Sequence, residues 1–163
     1  MKLVLFTDGA SRGNPGHSGA GVVIQDAEGR IIEEMSSYLG HGTNNEAEYR
    51  ALILALSRAS ELGAAEVEVR TDSELVARQI SGAYRVKHAG LKPLFEEVGI
   101  LLARFRRRAV HHVRREQNAR ADKLANEAID NHLRGLESKE AKRSRGLFDA
   151  PEESPGSTGQ GAG

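Results

Sequence analysis

Lys2-Leu3-Val4-Leu5-Phe6-Thr7-Asp8-Gly9 is the run on which the fold class turns. No charge follows Lys2 until Asp8, and apolar side chains occupy both alternating sets, so residues 2–7 read as a strand buried on both faces and central in its sheet. A second run, Glu66-Val67-Glu68-Val69-Arg70-Thr71-Asp72-Ser73, ends in nearly the same words. Each run places an acid where an apolar strand gives way to a turn. In open α/β sheets ligands bind outside the carboxyl ends of parallel strands, so Asp8 and Asp72 are candidates for a site at one sheet edge. Asp before Gly or Ser is also ordinary turn and helix-cap chemistry, and either acid taken alone fits that use.

Outward from these strands, residues 19–25 and 30–39 are strand-like and are joined at Asp26-Ala27-Glu28-Gly29, a hairpin turn by composition. Residues 44–62 carry a long helical pattern that stops at Gly63. The patterns further predict a short helix over 73–80, a longer one over 91–105 with Pro93 in its first turn, a last strand over 109–114 and an amphipathic helix over 118–132. The order is βββαβααβα, an α/β domain over residues 1–132. From 133 the composition shifts to Gly, Ser, Glu, Lys and Pro, which predicts a disordered polar tail over 133–163. Leu147 and Phe148 are the feature there that a protein partner would use.

A chain of 163 residues, 39% of them hydrophobic, suits one domain with one core. With no cysteine, disulfides and thiolate metal sites are excluded, and the reducing cytoplasm is the expected compartment. Asp8 arrives too early for a secretory apolar region and no apolar run approaches membrane-spanning length, so a soluble protein is expected; a monomer is the expected state. The 23 basic and 23 acidic side chains cancel, which argues against a grip on nucleic acid by bulk charge. Locally the balance differs: residues 104–120 hold seven arginines against the single acid Glu116. That stripe reads either as a solvated helix end and strand or as a surface for phosphates.

Two helices carry acids where none is needed for solubility. Glu48 heads the column Leu52, Ala55, Ala59, an apolar face. Glu46 belongs to the column Arg50, Ile53, Ser57, and Thr43-Asn44-Asn45-Glu46 fits a capping box, so Glu46 reads as structural. Asp122 stands in column with Ala125 and Ile129, again on a face expected to meet the core. Gathering carboxylates without basic partners is costly unless a cation neutralises them. Oxygen ligands without cysteine favour Mg²⁺ or Mn²⁺ over zinc, so these residues point to a divalent-metal site.

The residues Thr7-Asp8-Gly9-Ala10-Ser11-Arg12-Gly13-Asn14-Pro15-Gly16, Thr43-Asn44-Asn45-Glu46-Ala47-Glu48, Thr71-Asp72-Ser73 and Asn118-Ala119-Arg120-Ala121-Asp122 resemble the ordered motifs of type 1 ribonuclease H. The resemblance spans about residues 1–132. It implies a mixed five-stranded sheet of order 3-2-1-4-5, with strand 2 antiparallel to the rest and helices on both faces. It also implies hydrolysis of the RNA strand of RNA–DNA hybrids to 5′-phosphate and 3′-hydroxyl ends, with two Mg²⁺ ions about 4 Å apart at the scissile phosphate. On that resemblance Asp8 bridges both ions, Glu48 and Asp72 ligate one, and Asp122 binds the ion that activates water. Asn14, Asn44 and Asn45 match positions that touch the hybrid's minor groove, where 2′-hydroxyls mark RNA.

Two departures matter. His112 has the spacing of a histidine that assists catalysis in many members, yet His111-His112-Val113-Arg114-Arg115-Glu116-Gln117-Asn118 lacks the glycine of their flexible loop. This resembles the short-loop, archaeal-like branch, in which Arg115 is the preferred substitute and double-stranded RNA joins the expected substrates. The basic protrusion of some members is also missing, which leaves substrate grip to Arg85, Lys87 and the arginine stripe. The rival readings are a hybrid-binding module without catalysis and a DNA nuclease of the same fold.

Overall fold

The computed structural model describes the backbone of residues 1–153 and the side chains of residues 1–136. β1 (Lys2–Gly13) lies in the middle of a five-stranded sheet of order β3-β2-β1-β4-β5, formed with β2 (Gly16–Gln25), β3 (Ile31–Gly42), β4 (Glu66–Thr71) and β5 (Arg107–His112). β2 runs antiparallel to β1 and β3, while β4 and β5 run parallel to β1. β1 outlasts its expected end at residue 7 because its ladder with β2 continues to the pair Gly13↔Gly16.

Period-two alternation sorts the strand residues between two layers. Leu3 and Leu5 of β1, Val22 and Ile24 of β2, and Val67 and Val69 of β4 face three helices: α1 (Asn44–Glu61), α2 (Glu74–Ile80) and α3 (Lys92–Leu102). From these helices Tyr49, Leu52, Leu56, Val76, Val98 and Leu101 complete the main core. Phe6 and Val23 face the other way and meet Ala121 and Leu124 of α4 (Ala119–Glu153), so helices cover both faces.

The α4 layer sits close because β2 is stripped of side chains where they meet. A Cβ built on Gly21 would lie 2.0 Å from the carbonyl oxygen of Ala121, and one on Gly19 would lie 2.3 Å from that of Ala125. Small residues on both partners let backbone approach backbone. Gly21 is the ladder partner of Asp8, so the approach that needs its missing side chain also brings the start of α4 to Asp8.

Other boundaries differ from expectation too: β2 begins at Gly16, β3 runs on to Gly42 and α3 stops at Leu102. β5 begins and ends two residues early: Val113 still donates to the Thr71 carbonyl at 2.8 Å, but the chain then turns through a single 3-10 turn (Arg115–Asn118) rather than extending. α4 continues past His132 to Glu153, through a stretch rich in Glu, Lys, Arg and Ala, residues with high helix propensity. The chain divides into units of residues 1–129 and 130–163. Leu147 and Phe148 fall in that helix, and their side chains lie outside the described residues, as does everything beyond 153.

Candidate active site

The parallel register of β1 and β4 pairs Thr7 with Thr71. Asp8 and Asp72, one residue further on, therefore emerge side by side at the carboxyl end of the sheet, as the matching strand endings predict. α1 supplies the third acid. Glu48 sits one turn into the helix, with Leu52, Ala55 and Ala59 of its column buried at 1%, 0% and 0% exposure. Its Oε1 accepts a 2.9 Å hydrogen bond from the backbone N–H of Gly9. Carboxylate oxygens of Asp8, Glu48 and Asp72 lie within 4.8 Å of one another.

Gly9 makes that contact possible. An added Cβ there would stand 2.2 Å from the Ala47 carbonyl carbon and 2.4 Å from the Glu48 nitrogen, well inside van der Waals contact. Asn118 is a second residue that holds the site without belonging to it. It is 1% exposed, and its side-chain amide donates to the carbonyl of Thr7 at 2.9 Å, joining the turn before α4 to the residue preceding Asp8. Neither role shows in hydrophobic periodicity; a Gly directly after a strand-end Asp is the only hint.

Asp122 requires a correction. Ala125 and Ile129 of its column are fully buried, yet Asp122 itself is exposed. The first turn of α4 stands at the sheet end, where the face that lower down meets β2 opens on a cavity. Asp122 lines that cavity of about 310 Å³ together with Asp8, Glu48, Asp72, Asn44, Ser73 and Arg115. It stands outside the tight trio but close enough that its carboxyl group raises the value of Asp8.

Burial and crowding dominate the electrostatics. Asp8, 4% exposed, is pushed from an ordinary 3.8 up to about 10, first by loss of hydration and then by the charges of Glu48 and Asp72 and the contact with Asp122. Glu48, 7% exposed, is pushed up to about 8 by burial, opposed by the Gly9 hydrogen bond, raised further by Asp72 and Asp122, and eased by the positive charge of Arg115. With no cation present, these carboxyl groups hold protons that free carboxylates would shed. A divalent cation is the group that such a cluster of hard oxygen donors fits. Among the described residues, this is the one cluster of acids and histidines close enough to share an ion.

Glu46 takes the role its spacing indicates. Thr43 and Glu46 form the reciprocal cap, with Thr43 N donating to Glu46 Oε1 at 2.7 Å and Glu46 N donating to Thr43 Oγ1 at 3.1 Å. Asn14 and Asn44 come together, the Asn44 N–H donating to Asn14 Oδ1 at 3.1 Å. Asn14 and Asn45 line a neighbouring cavity of about 200 Å³ with Thr43, Leu91 and His88, and His88 has no sequence signal. Arg85 and Lys87 are exposed between α2 and α3 and line neither cavity. His112 is the exposed last residue of β5, paired with Thr71 and outside the carboxylate cavity, whereas Arg115 lines it.

A family model described as reverse transcriptase-like matches residues 6–128. A bifunctional protein of Mycobacterium tuberculosis is 45% identical over 131 residues, which are 80% of this chain and 36% of that protein. The chain thus spans about a third of the length of that relative. The crystal structure of RNase H1 from the halophilic archaeon Halobacterium salinarum is 41% identical with a TM-score of 0.79, covering 80% of this chain and 99% of that one. LC11-RNase H1, solved in complex with an RNA/DNA hybrid, is 46% identical with a TM-score of 0.77, covering 80% and 99% respectively.

Proposed function

Because the chain belongs to the ribonuclease H family, in its type 1, archaeal-like branch, we propose that it hydrolyses the RNA strand of RNA–DNA hybrids, leaving 5′-phosphate and 3′-hydroxyl ends. The observation that carries this reading is the trio Asp8, Glu48 and Asp72, gathered within 4.8 Å with the first two pushed far above ordinary carboxyl values. A cluster so crowded is costly to maintain for structure alone, and a cation removes the cost. Asp8, Glu48, Asp72 and Asp122 would hold two Mg²⁺ ions, with Mn²⁺ as a substitute. When bound, such ions polarise the phosphate and make water a strong nucleophile at neutral pH.

The remaining roles belong to the chain's own groups. Asn14, Asn44 and Asn45, on the strand turn and helix start beside the cavity, would meet the minor groove and 2′-hydroxyls of a hybrid. Arg115, at the cavity wall and close enough to ease Glu48, would face the scissile phosphate in preference to His112, which does not line that cavity. Double-stranded RNA is a second substrate on the archaeal-like reading, and a monomer suffices, since every acid of the site comes from one chain. Arg85 and Lys87, exposed and outside both cavities, would contact the substrate backbone at its flank.

Labelled hybrid, duplex RNA and duplex DNA incubated with Mg²⁺ test the proposal. Hybrid should be cut fastest, duplex DNA not at all, and Arg115→Ala should slow hybrid cleavage by about a hundredfold while His112→Ala changes it less than about threefold. Binding of hybrid without cleavage would leave a binding module in place of an enzyme. Cleavage of duplex DNA alone would make the chain a DNA nuclease of the same fold.

A further inference from the structure

The arginines around β5 form the longest run in the described residues without acidic partners, whereas five arginines elsewhere are paired. Arg30, Arg58, Arg70, Arg78 and Arg120 each hold an acidic side chain at 2.7–3.0 Å. Among the described residues, Arg104, Arg106, Arg107, Arg108, Arg114 and Arg115 hold none, and all six are exposed. Arg108 makes one 3.1 Å bond to the Phe105 carbonyl, which leaves most of its donors to solvent.

Protection of a sheet edge does not account for them. Charged side chains do keep edge strands from pairing with other chains. The opposite edge, β3, has its charges too, but there Glu33 is paired with Arg58 and Glu34 with Arg120. The β5 arginines also begin before the strand, at Arg104 and Arg106, where no ladder needs guarding. A run of unpaired like charges on a chain of zero net charge is a local attractor for a polyanion.

The row leads to the carboxylate cavity. β5 runs parallel to β4, in register from Glu66↔Arg107 to Thr71↔His112, so its far end lies beside Asp72 and opens into the turn that begins with Arg115. At about 3.3 Å per residue the strand covers about 17 Å. Phosphates of one nucleic-acid strand advance about 3.4 Å each along a duplex axis, so about five nucleotides separate the arginines at the start of β5 from the cavity at its end.

We propose that the β5 edge is a second phosphate track: Arg104, Arg106 and Arg108 bind the backbone of a duplex beyond the cleavage cavity and lengthen the footprint on the substrate. This rests on the ribonuclease reading, and the experiment separates the two. In an Asp8→Asn background, hybrids of about 10 and about 30 base pairs are titrated across a range of salt with and without Arg104→Ala, Arg106→Ala and Arg108→Ala combined. The long hybrid should bind about tenfold more weakly to the triple variant, with the slope of log affinity against log salt reduced by about 2–3. The short hybrid should lose less than about twofold. Circular dichroism checks that the variant is folded, and Arg106→Glu alone should shift the long hybrid more than the short one. Equal losses at both lengths, or none at either, overturn the track while leaving the ribonuclease reading intact. Failure of the Asp8→Asn chain itself to bind hybrid overturns both.

Discussion

Asp8→Asn is expected to abolish hybrid cleavage, by at least about a thousandfold, and at the same time to make the metal-free protein more stable at pH 8. The two effects have one origin. Asp8 is the carboxyl group most deeply set in the cluster and the one on which Glu48, Asp72 and Asp122 all act. Its folded value, up to about 10 against an ordinary 3.8, means that between these limits the folded chain binds a proton that the unfolded chain has lost. Stability contributed by this group therefore falls as pH rises from about 4 towards 10. Asparagine keeps the shape without the charge and removes that loss. Thermal melts in chelator at pH 5 and pH 8 check it: the variant's advantage should be larger at pH 8 than at pH 5 by at least about 3–8 °C, the range that 1–2 kcal/mol gives in a domain of this size. An equal or lower melting temperature for the variant at pH 8 would show that the carboxylates are not held against their own repulsion.

Gly9→Ala should be among the most damaging single methyls in the described residues, and the one that acts directly on the site. The new Cβ would press on the Ala47 carbonyl and the Glu48 nitrogen at 2.2–2.4 Å, and both are backbone atoms of a helix that cannot swing aside. The expected cost is about 2–4 kcal/mol, read as a fall in melting temperature of about 6–12 °C. Cleavage should fall further than stability does, because the same shift pulls the Gly9 N–H from Glu48 and moves Glu48 away from Asp8. Gly99→Ala, in exposed α3 with nothing within 4 Å of the added atom, is the control and should be neutral or slightly stabilising.

Much of the site could be read before any coordinates because its parts are written in local patterns. The twin endings Thr7-Asp8 and Thr71-Asp72 foretell a shared sheet edge, and the Thr7↔Thr71 register delivers it. Glu48 and Glu46 separate by column alone, one onto the core face and one into the cap. Asp122 shows the limit of that reasoning. A helical column says which residues share a face; it does not say what that face meets at each level, and at Asp122 it meets the carboxylate cavity instead of the sheet. Gly9, Gly19 and Gly21 were hidden for a similar reason: a close backbone approach is a property of two segments, and hydrophobic periodicity describes one. The end of β5 is not legible in the sequence because Val113 and Arg114 are as strand-like in composition as their neighbours, and the turn after them is set by the Gln117 side chain accepting from the Arg114 N–H at 3.2 Å.

The central claim is that Asp8, Glu48 and Asp72 form a divalent-cation centre, and calorimetric titration of Mg²⁺ into the metal-free chain tests it most directly. Ligation needs ionised carboxylates, and Asp8 and Glu48 carry protons at pH 7 because their values lie at about 10 and about 8. Saturable binding should release about one to two protons per chain, measured from the dependence of heat on buffer ionisation, and Asp8→Asn should release about one fewer. Binding without proton release, or release unchanged in Asp8→Asn, would contradict the claim.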